Sequence, residues 1–465
     1  MKKFLTLSIF TSILLSLSLP YSYAITDTNN EQNFKKESKL FKNKNKVEEE
    51  TQILDYINYD WWKKQNDPIL QKYIELALEK NNDIKIAALN IEIAKNSVTI
   101  ARADQLPSLS ISPSPVLMKM PYQTKSQGSF ALPIIASYEL DLFGKNWDKT
   151  KSSKKILEST KFNTQTSDIA VVSMVGATYY NIVKFDELIK NQEKLVDERG
   201  EIYRLMKISN KEGITSTSDL ILAEKNYVLA QNDLLDYKKY RQNALNALAV
   251  LIGDSAENSK NYERISYSGL NDNFNIPNEI SSEIIINRPD YKAAEKQLEA
   301  AGIDIRVAKK EFLPTIDILG LVSFIAQSGV DMGWNTAVAA LGAGASLPLF
   351  TGFKRVANLK ISKAKYQQLL QKYEKTNLTA IQEINDSLYN LKSDNEKYVN
   401  NKKALEIQNK DYELTQSKFN KGVISKLDLL QHQETLLYVK QLTTTSKMDC
   451  FIDKISLYKA TGAKI

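Results

Sequence analysis

Small and apolar residues fall at Ile84, Ala87, Ile91, Ala94, Val98 and Ala101, three and four positions apart in turn. That spacing predicts a helix with a coiled-coil seam, and its alanines admit a neighbouring helix at close range. The seam recurs 207 positions later at Tyr291, Ala294, Leu298, Ala301, Ile305 and Ala308. Each seam closes on a Leu-Pro pair, Leu106-Pro107 or Leu313-Pro314, and there the period changes. Ser108-Leu109-Ser110-Ile111-Ser112 and Thr315-Ile316-Asp317-Ile318 alternate polar and apolar, which predicts strands with two unlike faces. Apolar stretches at 130–140 and 337–349 add a second strand to each half, four in the chain. Each is near the ~9–11 residues that cross a bilayer when tilted. Pro113, Pro115 and Pro133 fit strand interiors poorly and blur the boundaries.

Beyond Leu142-Phe143-Gly144 the pattern is helical, without proline, as far as Gly213. In the second half Ile384, Leu391, Tyr398, Leu405, Tyr412 and Phe419 stand seven apart, and Val175, Ile182, Ile189, Val196 and Tyr203 match them 209 positions earlier. A strict seven-residue repeat predicts left-handed supercoiling on a partner helix. Gly213 and Gly422 supply C-terminal stops. Ser218 and Ser425 are the expected N-caps of the returning helices, the first of which carries a seam at Leu220, Ala223, Tyr227, Ala230, Leu234 and Tyr237.

The tips themselves are duplicated, GITSTSDLILAE from Gly213 and GVISKLDLLQHQE from Gly422. Gly213 matches Gly422, Asp219 matches Asp428 and Gly253 matches Gly462, all at 209. Asp83 and Asp290, the Leu-Pro pairs, and Leu142-Phe143 with Leu349-Phe350 match at 207, so the second half gains two residues between its Leu-Phe pair and its tip glycine. The chain is a tandem of two similar halves. The first repeat is expected at 51–253 and the second at 287–465, joined by a polar connector at 254–286. Residues 1–24 have a basic start, an apolar run short of the ~20 residues of a span, and a small-residue end, which predicts a cleaved signal peptide. No cysteine lies near that end for lipid attachment. Residues 25–50 read as a disordered leader, and Asp67-Pro68 as a helix start.

A mean hydropathy of −0.35 excludes a polytopic helical membrane protein. The net charge of +7 comes from 62 basic and 55 acidic residues scattered along the chain, unlike a nucleic-acid-binding patch. One histidine and one cysteine exclude His- or Cys-rich metal sites and any intrachain disulfide, and no cofactor is implied. Cys450 is expected as a buried small residue.

A sheet with one lipid-compatible face cannot end at an open edge in hydrocarbon, so it closes into a barrel. Four strands are too few, since bacterial barrels need at least about eight. Three chains would supply twelve, with two and four left open by the count alone. The helical hairpins, two per chain, would then stand side by side as a wet tube prolonging the barrel.

The chain carries WWKKQNDPIL at 61–70, ALEKNNDIKIAALNIEIA at 77–94, ELDLFGK at 139–145, NRPDYKAAEKQLEAA at 287–301, FLPTI at 312–316 and SLPLFTG at 346–352, with both glycine-Asp hairpins. In combination these segments resemble the TolC-like outer membrane efflux proteins, in the OprM/NodT-like branch that works with RND drug pumps. The resemblance covers about residue 61 to the end. It implies an α+β membrane protein, a homotrimer with a 12-stranded outer-membrane β-barrel in lipid, continued by a long periplasmic α-helical barrel. An equatorial collar would come from the Trp61 region, the connector and the C-terminus. The implied role is the exit duct of a tripartite efflux system that passes drugs outward. Its implied partners are a periplasmic adaptor at the tube tips and an inner-membrane transporter. The pore entrance would be lined by Asp428, Gln431, Asp219, Leu222, Phe419 and Ile424. The adaptor would meet the turns at Gly213, Ser216, Ser218, Gly422 and Ser425. Strand entry and exit would fall at Leu106, Pro107, Leu313, Pro314, Gly144 and Gly352. Asp428 aligns with an acidic ring that biases a pore toward cations. The plainer alternative is a carboxylate in the first turn of a helix, where negative charge is favourable. Ile424 and Phe419 stand where some members carry an arginine and a tyrosine, which implies an entrance held by apolar contacts.

Three other roles compete with drug export. A duct for type I protein secretion shares the architecture. A structural coiled-coil surface protein explains the heptads but not the paired strands. A hydrolase built on His432 and Asp428 is opposed by Ala223, the counterpart of His432, which marks a seam position.

Overall fold

The computed structural model describes residues 67–118, 127–272, 274, 276–277, 280, 282–327 and 336–462. The expected signal peptide, the leader and Trp61-Trp62 lie outside the described residues.

The order is α1 (Pro68–Lys80), α2 (Asn82–Ala103), β1 (Ser108–Ile111), β2 (Ser114–Met118), β3 (Gln127–Leu140), α3 (Lys145–Lys211) and α4 (Thr217–Leu251). Three short 3-10 turns follow, then α5 (Pro289–Lys310), β4 (Thr315–Gln327), β5 (Thr336–Ser346), α6 (Lys354–Asn420) and α7 (Lys426–Ala460). The repeat is metrically strict. α2 and α5 have 22 residues each, α3 and α6 have 67, and α4 and α7 have 35. At 1.5 Å per residue the long helices run about 100 Å.

Asp67 caps α1, accepting from the Ile69 and Leu70 amides at 3.0 Å, with Pro68 in the first turn as expected. Ala87, Ala94 and Val98 of the first seam, and Ala294, Ala301 and Ala308 of the second, are buried. The small side chains bring backbones close enough for α3 hydroxyls to bond carbonyls of the flanking helices. Thr150 reaches the Ala101 oxygen at 2.9 Å, Thr164 that of Ala87 at 3.2 Å and Ser159 that of Ala293 at 2.9 Å. The heptad positions Val175, Ile182, Ile189, Ile384, Leu391 and Tyr398 are buried too. Those nearer the tips, such as Val196, Tyr203, Leu405 and Tyr412, are only half-buried.

The sheet is antiparallel in the order β1-β3-β4-β5, with β2 also on β3. The expected first strand is thus two pieces sharing one partner. Ile111 faces Ile134 and Ser114 faces Ala131, so the break at Ser112-Pro113 lies opposite Leu132-Pro133. Pro113, with no amide to donate, thus falls in the break, while the Pro133 carbonyl still accepts from the Ser112 amide at 3.3 Å. The last strand ends at Ser346, short of the expected 349.

Residues opposite one another in a ladder share a face. Leu109 and Ile111 align with Ala136 and Ile134, these with Gly320 and Val322, and these in turn with Leu341 and Ala339. That face is apolar along its length, save Tyr138 near the helix end. The opposite face mixes Ser108, Ser137, Glu139, Asp317, Ser323 and Ser346 with apolar residues. Among the described residues no helix is long and apolar enough to cross a membrane.

The connector is less polar in its role than in its composition. Phe274, Ile276 and Ile280 pack on Leu391, Tyr398, Cys450 and Leu457, with Phe274 edge-on to Phe451 at 5.0 Å. Lys447 Nζ donates to the Leu270 oxygen at 3.0 Å, and Asp272 accepts from Tyr398 Oη at 2.7 Å and Lys402 Nζ at 3.0 Å. These bonds hold the Asp272 carboxyl down at about 2. Arg288 ties the second half to the chain end, donating to the Ala460 oxygen at 2.6 Å and to Glu383 at 2.7 Å. Cys450 is buried as expected, and burial pushes its thiol up to about 12.

Candidate functional site

Both tips are built alike. α3 ends at Lys211 and Gly213 turns the chain at φ +72°, the left-handed region. The Ile214 amide then bonds the Ser209 carbonyl at 2.8 Å. Gly422 repeats the φ of +72°, and the Val423 amide bonds the Lys418 carbonyl at 2.9 Å.

The cap of α4 is Ser216, not Ser218. The Asp219 amide donates to Ser216 Oγ at 3.1 Å, which in turn donates to Asp219 Oδ2 at 2.7 Å. Ser218 lies one residue inside the helix, exposed. The 209-residue offset from Ser425 leads to Ser216, so the signal was in the repeat.

At the second tip Ser425 and Asp428 form a full capping box. Asp428 N donates to Ser425 Oγ at 3.1 Å, while Ser425 N and Oγ donate to Asp428 Oδ2 at 3.0 and 2.7 Å. These bonds hold the exposed Asp428 carboxyl below its usual range. The first-turn geometry is therefore present. A capped carboxylate still presents charge, so capping does not compete with a ring of such charges.

Asp219, Leu222 and Gln431 are exposed, while Ile424 and Phe419 are half-buried. Lys426 Nζ stands 5.5 Å above the Phe419 ring, a cation set on an aromatic face. Asp219 and Asp428 belong to different hairpins, each bound to its own serine. Exposed apolar residues at the very tips were not anticipated: Ile214 and Val423, again 209 apart, are 76% and 69% exposed. An apolar residue directly after each tip glycine was the available signal.

Above the tips, polar ties join α3 of one hairpin to α7 of the other. Lys184 Nζ meets Asp449 at 3.0 Å and Gln441 Nε2 donates to Gln192 Oε1 at 2.7 Å. Nearest the tips, Arg199 Nε donates to Glu434 Oε1 at 2.7 Å, and Gln433, whose Oε1 accepts from Tyr412 Oη, donates to Glu198. Glu198 is buried, its Oε2 has no partner among the described residues, and burial raises its carboxyl to about 7. His432 contacts Asp411 of α6 at 2.6 Å rather than Asp428, so the seam position is a helix-to-helix tie.

At the other end of the hairpins, Leu106 is exposed and Leu313 partly so, flanking the strands they introduce. Gly144 and Gly352 have φ of +67° and +57°. Lys310 Nζ donates to the Gly144 carbonyl at 2.9 Å and to Asp148 at 2.7 Å, which fixes the first strand-to-helix corner.

An apolar-faced sheet set on paired helices about 100 Å long defines a membrane duct with a periplasmic extension. Residues 73–254 and 280–463 match the model of the outer membrane efflux protein family, and the chain belongs to that family. It is 28% identical over 413 residues to the toluene efflux pump outer membrane protein TtgC of Pseudomonas putida, covering 85% of this chain and 83% of that one. It is 26% identical over 420 residues to the pyoverdine export outer membrane protein OpmQ of Pseudomonas aeruginosa, covering 86% of both. The crystal structure of the Campylobacter jejuni CmeC outer membrane channel superposes with a TM-score of 0.77 at 26% identity, covering 87% of this chain and 88% of that one. The protein is thus an outer-membrane efflux duct of TolC-like fold, in a family of channel proteins rather than enzymes.

Proposed function

We propose that three copies close a 12-stranded barrel and a continuous helical tube, which receives small organic molecules from an inner-membrane transporter through a periplasmic adaptor. One observation carries this: the sheet has an apolar face but open edges at β5 and at β1 and β2, so a single copy leaves backbone groups unpaired in lipid. Neighbouring copies pair those edges. Small organic cargo fits the toluene and pyoverdine exported by the relatives' systems.

The Asp428 carboxylates ring the periplasmic entrance, with Gln431 and Leu222 lining it. The adaptor seats on the turns at Gly213, Ser216, Gly422 and Ser425, with exposed Ile214 and Val423 as its apolar anchors. The first test is electrical. The purified protein in planar lipid bilayers gives steady, cation-selective conductance, and an electrically silent membrane would overturn the duct reading. Cross-linking a β5 residue to a β1 residue should trap trimers, and dimers or tetramers in their place would overturn the stoichiometry.

A further inference from the structure

Where α3 docks on α7, Glu198 is buried with one oxygen unpartnered among the described residues, and it takes a bond from Gln433. The repeat shows whether the fold needs a carboxyl there. Shifted by 209 positions, α6 carries Ile407 in place of Glu198, and α4 carries Glu224 in place of Gln433. Gln408 and Lys225 likewise replace Arg199 and Glu434, while Asn401 and Asn232 replace Gln192 and Gln441. Both long helices run 67 residues, and α6 does so without burying a carboxyl. The fold therefore does not require Glu198, although its burial is costly.

The groups around Glu198 leave it without a counter-ion. Its neighbour Arg199 is taken by Glu434 at 2.7 Å and by the Asn226 carbonyl of α4 at 3.2 Å. Burial raises the Glu198 carboxyl to about 7, the Gln433 bond lowers it, Glu434 raises it, and Lys194 of α3 and Lys440 of α7 offset only a part. α6 presents Tyr412, bonded to Gln433 at 3.2 Å, and Asp411, held by His432 at 2.6 Å. Glu224 of α4 bonds Tyr203 instead. Parting α3 from α7 would hydrate Glu198 and return its carboxyl toward 4.5. Parting thus releases a proton, so acid favours the closed seam, and the closed seam loses ground as pH rises toward 7.

We propose that Glu198 is a proton-operated latch between the two hairpins, holding α6–α7 on α3 when neutral and loosening them when charged. The latch rests on the duct reading, and two measurements keep them apart. In planar bilayers, mean conductance of the full chain should rise about threefold or more from pH 5.5 to pH 8. Glu198→Gln should stay low at both. Asp428, held below its usual range, keeps its charge throughout. Asp168 and Asp453, whose carboxyls burial also raises to about 7, serve as controls, and Asp168→Asn and Asp453→Asn should keep the rise. A conducting parent without the rise overturns the latch, as does a rise that survives Glu198→Gln or is lost with either control instead. The second measurement is the distance between nitroxides at Ile208→Cys of α3 and Thr435→Cys of α7, both exposed positions, in a Cys450→Ala background. It should lengthen by several ångströms over the same pH rise, and not when Glu198→Gln is added. A distance fixed across that range overturns the latch. An electrically silent membrane with the lengthening intact removes the duct and leaves the latch.

Discussion

Arg199 of α3 and Glu434 of α7 face one another across the two hairpins of one chain, Nε to Oε1 at 2.7 Å, with a further Arg199 bond to the Asn226 carbonyl at 3.2 Å. Both side chains are partly exposed, so the pair contributes about 1 kcal/mol or less. Its weight is positional, because it fastens the hairpins just above their tips. Arg199→Ala should raise single-channel conductance about twofold or more, with a coupling to Glu434→Gln of about 0.5–1 kcal/mol in a double-mutant cycle. Conductance equal to the parent's would make the pair a purely local contact.

Capping and ion selection at Asp428 separate by mutation. Ser425→Ala removes the cap at a cost of about 1 kcal/mol and leaves the carboxylate, so reversal potentials in a salt gradient should hold. Asp428→Asn removes the charge and should move the reversal potential toward zero. Equal potentials in both variants would remove Asp428 from the entrance ring.

Glu198 links stability to pH in an unusual direction. Burial raises its carboxyl from 4.5 to about 7 in the fold, so the folded chain holds a proton that the unfolded chain has released. Its stability contribution is intact below about 4.5 and declines as pH rises toward 7. Glu198→Gln should therefore gain on the parent by about 1–2 kcal/mol between pH 5 and pH 8, after allowance for solvent screening. Thermal melts in detergent at the two pH values measure this, and a constant difference would refute it.

Gly253 and Gly422 share a left-handed φ but not their surroundings. A Cβ at Gly253 would lie 2.7 Å from the Lys80 carbonyl oxygen, whereas none of the atoms around Gly422 comes within 4 Å. Gly422→Ala should cost about 1 kcal/mol from the backbone alone, and Gly253→Ala about 2–4 kcal/mol with the clash added. Equal losses in heat denaturation would show that the backbone shifts freely around residue 253.

The seams were legible because a helix on a helix prints its spacing directly, and Ala87, Ala94, Ala294 and Ala301 are buried as that spacing predicts. The strands were legible by alternation, yet placing Pro113 in a break opposite Leu132 required knowing which residues face each other. For the same reason Arg199–Glu434 and Glu198–Gln433 could not be seen. Each is an ordinary polar residue on a polar stripe, and only the docking of α3 on α7 distinguishes it. Ser216 was hidden differently, beside a second serine of equal local merit, until its bond to Asp219 decided between them.

Equal helix lengths give the two hairpins of one chain the same reach. On the proposed assembly, a docking ring would meet a rim of similar knobs, alternately Ile214 and Val423, and could seat at twice as many angular settings as there are chains. Adding a single residue to α3 would advance its tip by about 1.5 Å and swing it through about 100°. Alternate knobs would then be proud of the rim and turned away, and the partner's choice of settings would fall by half.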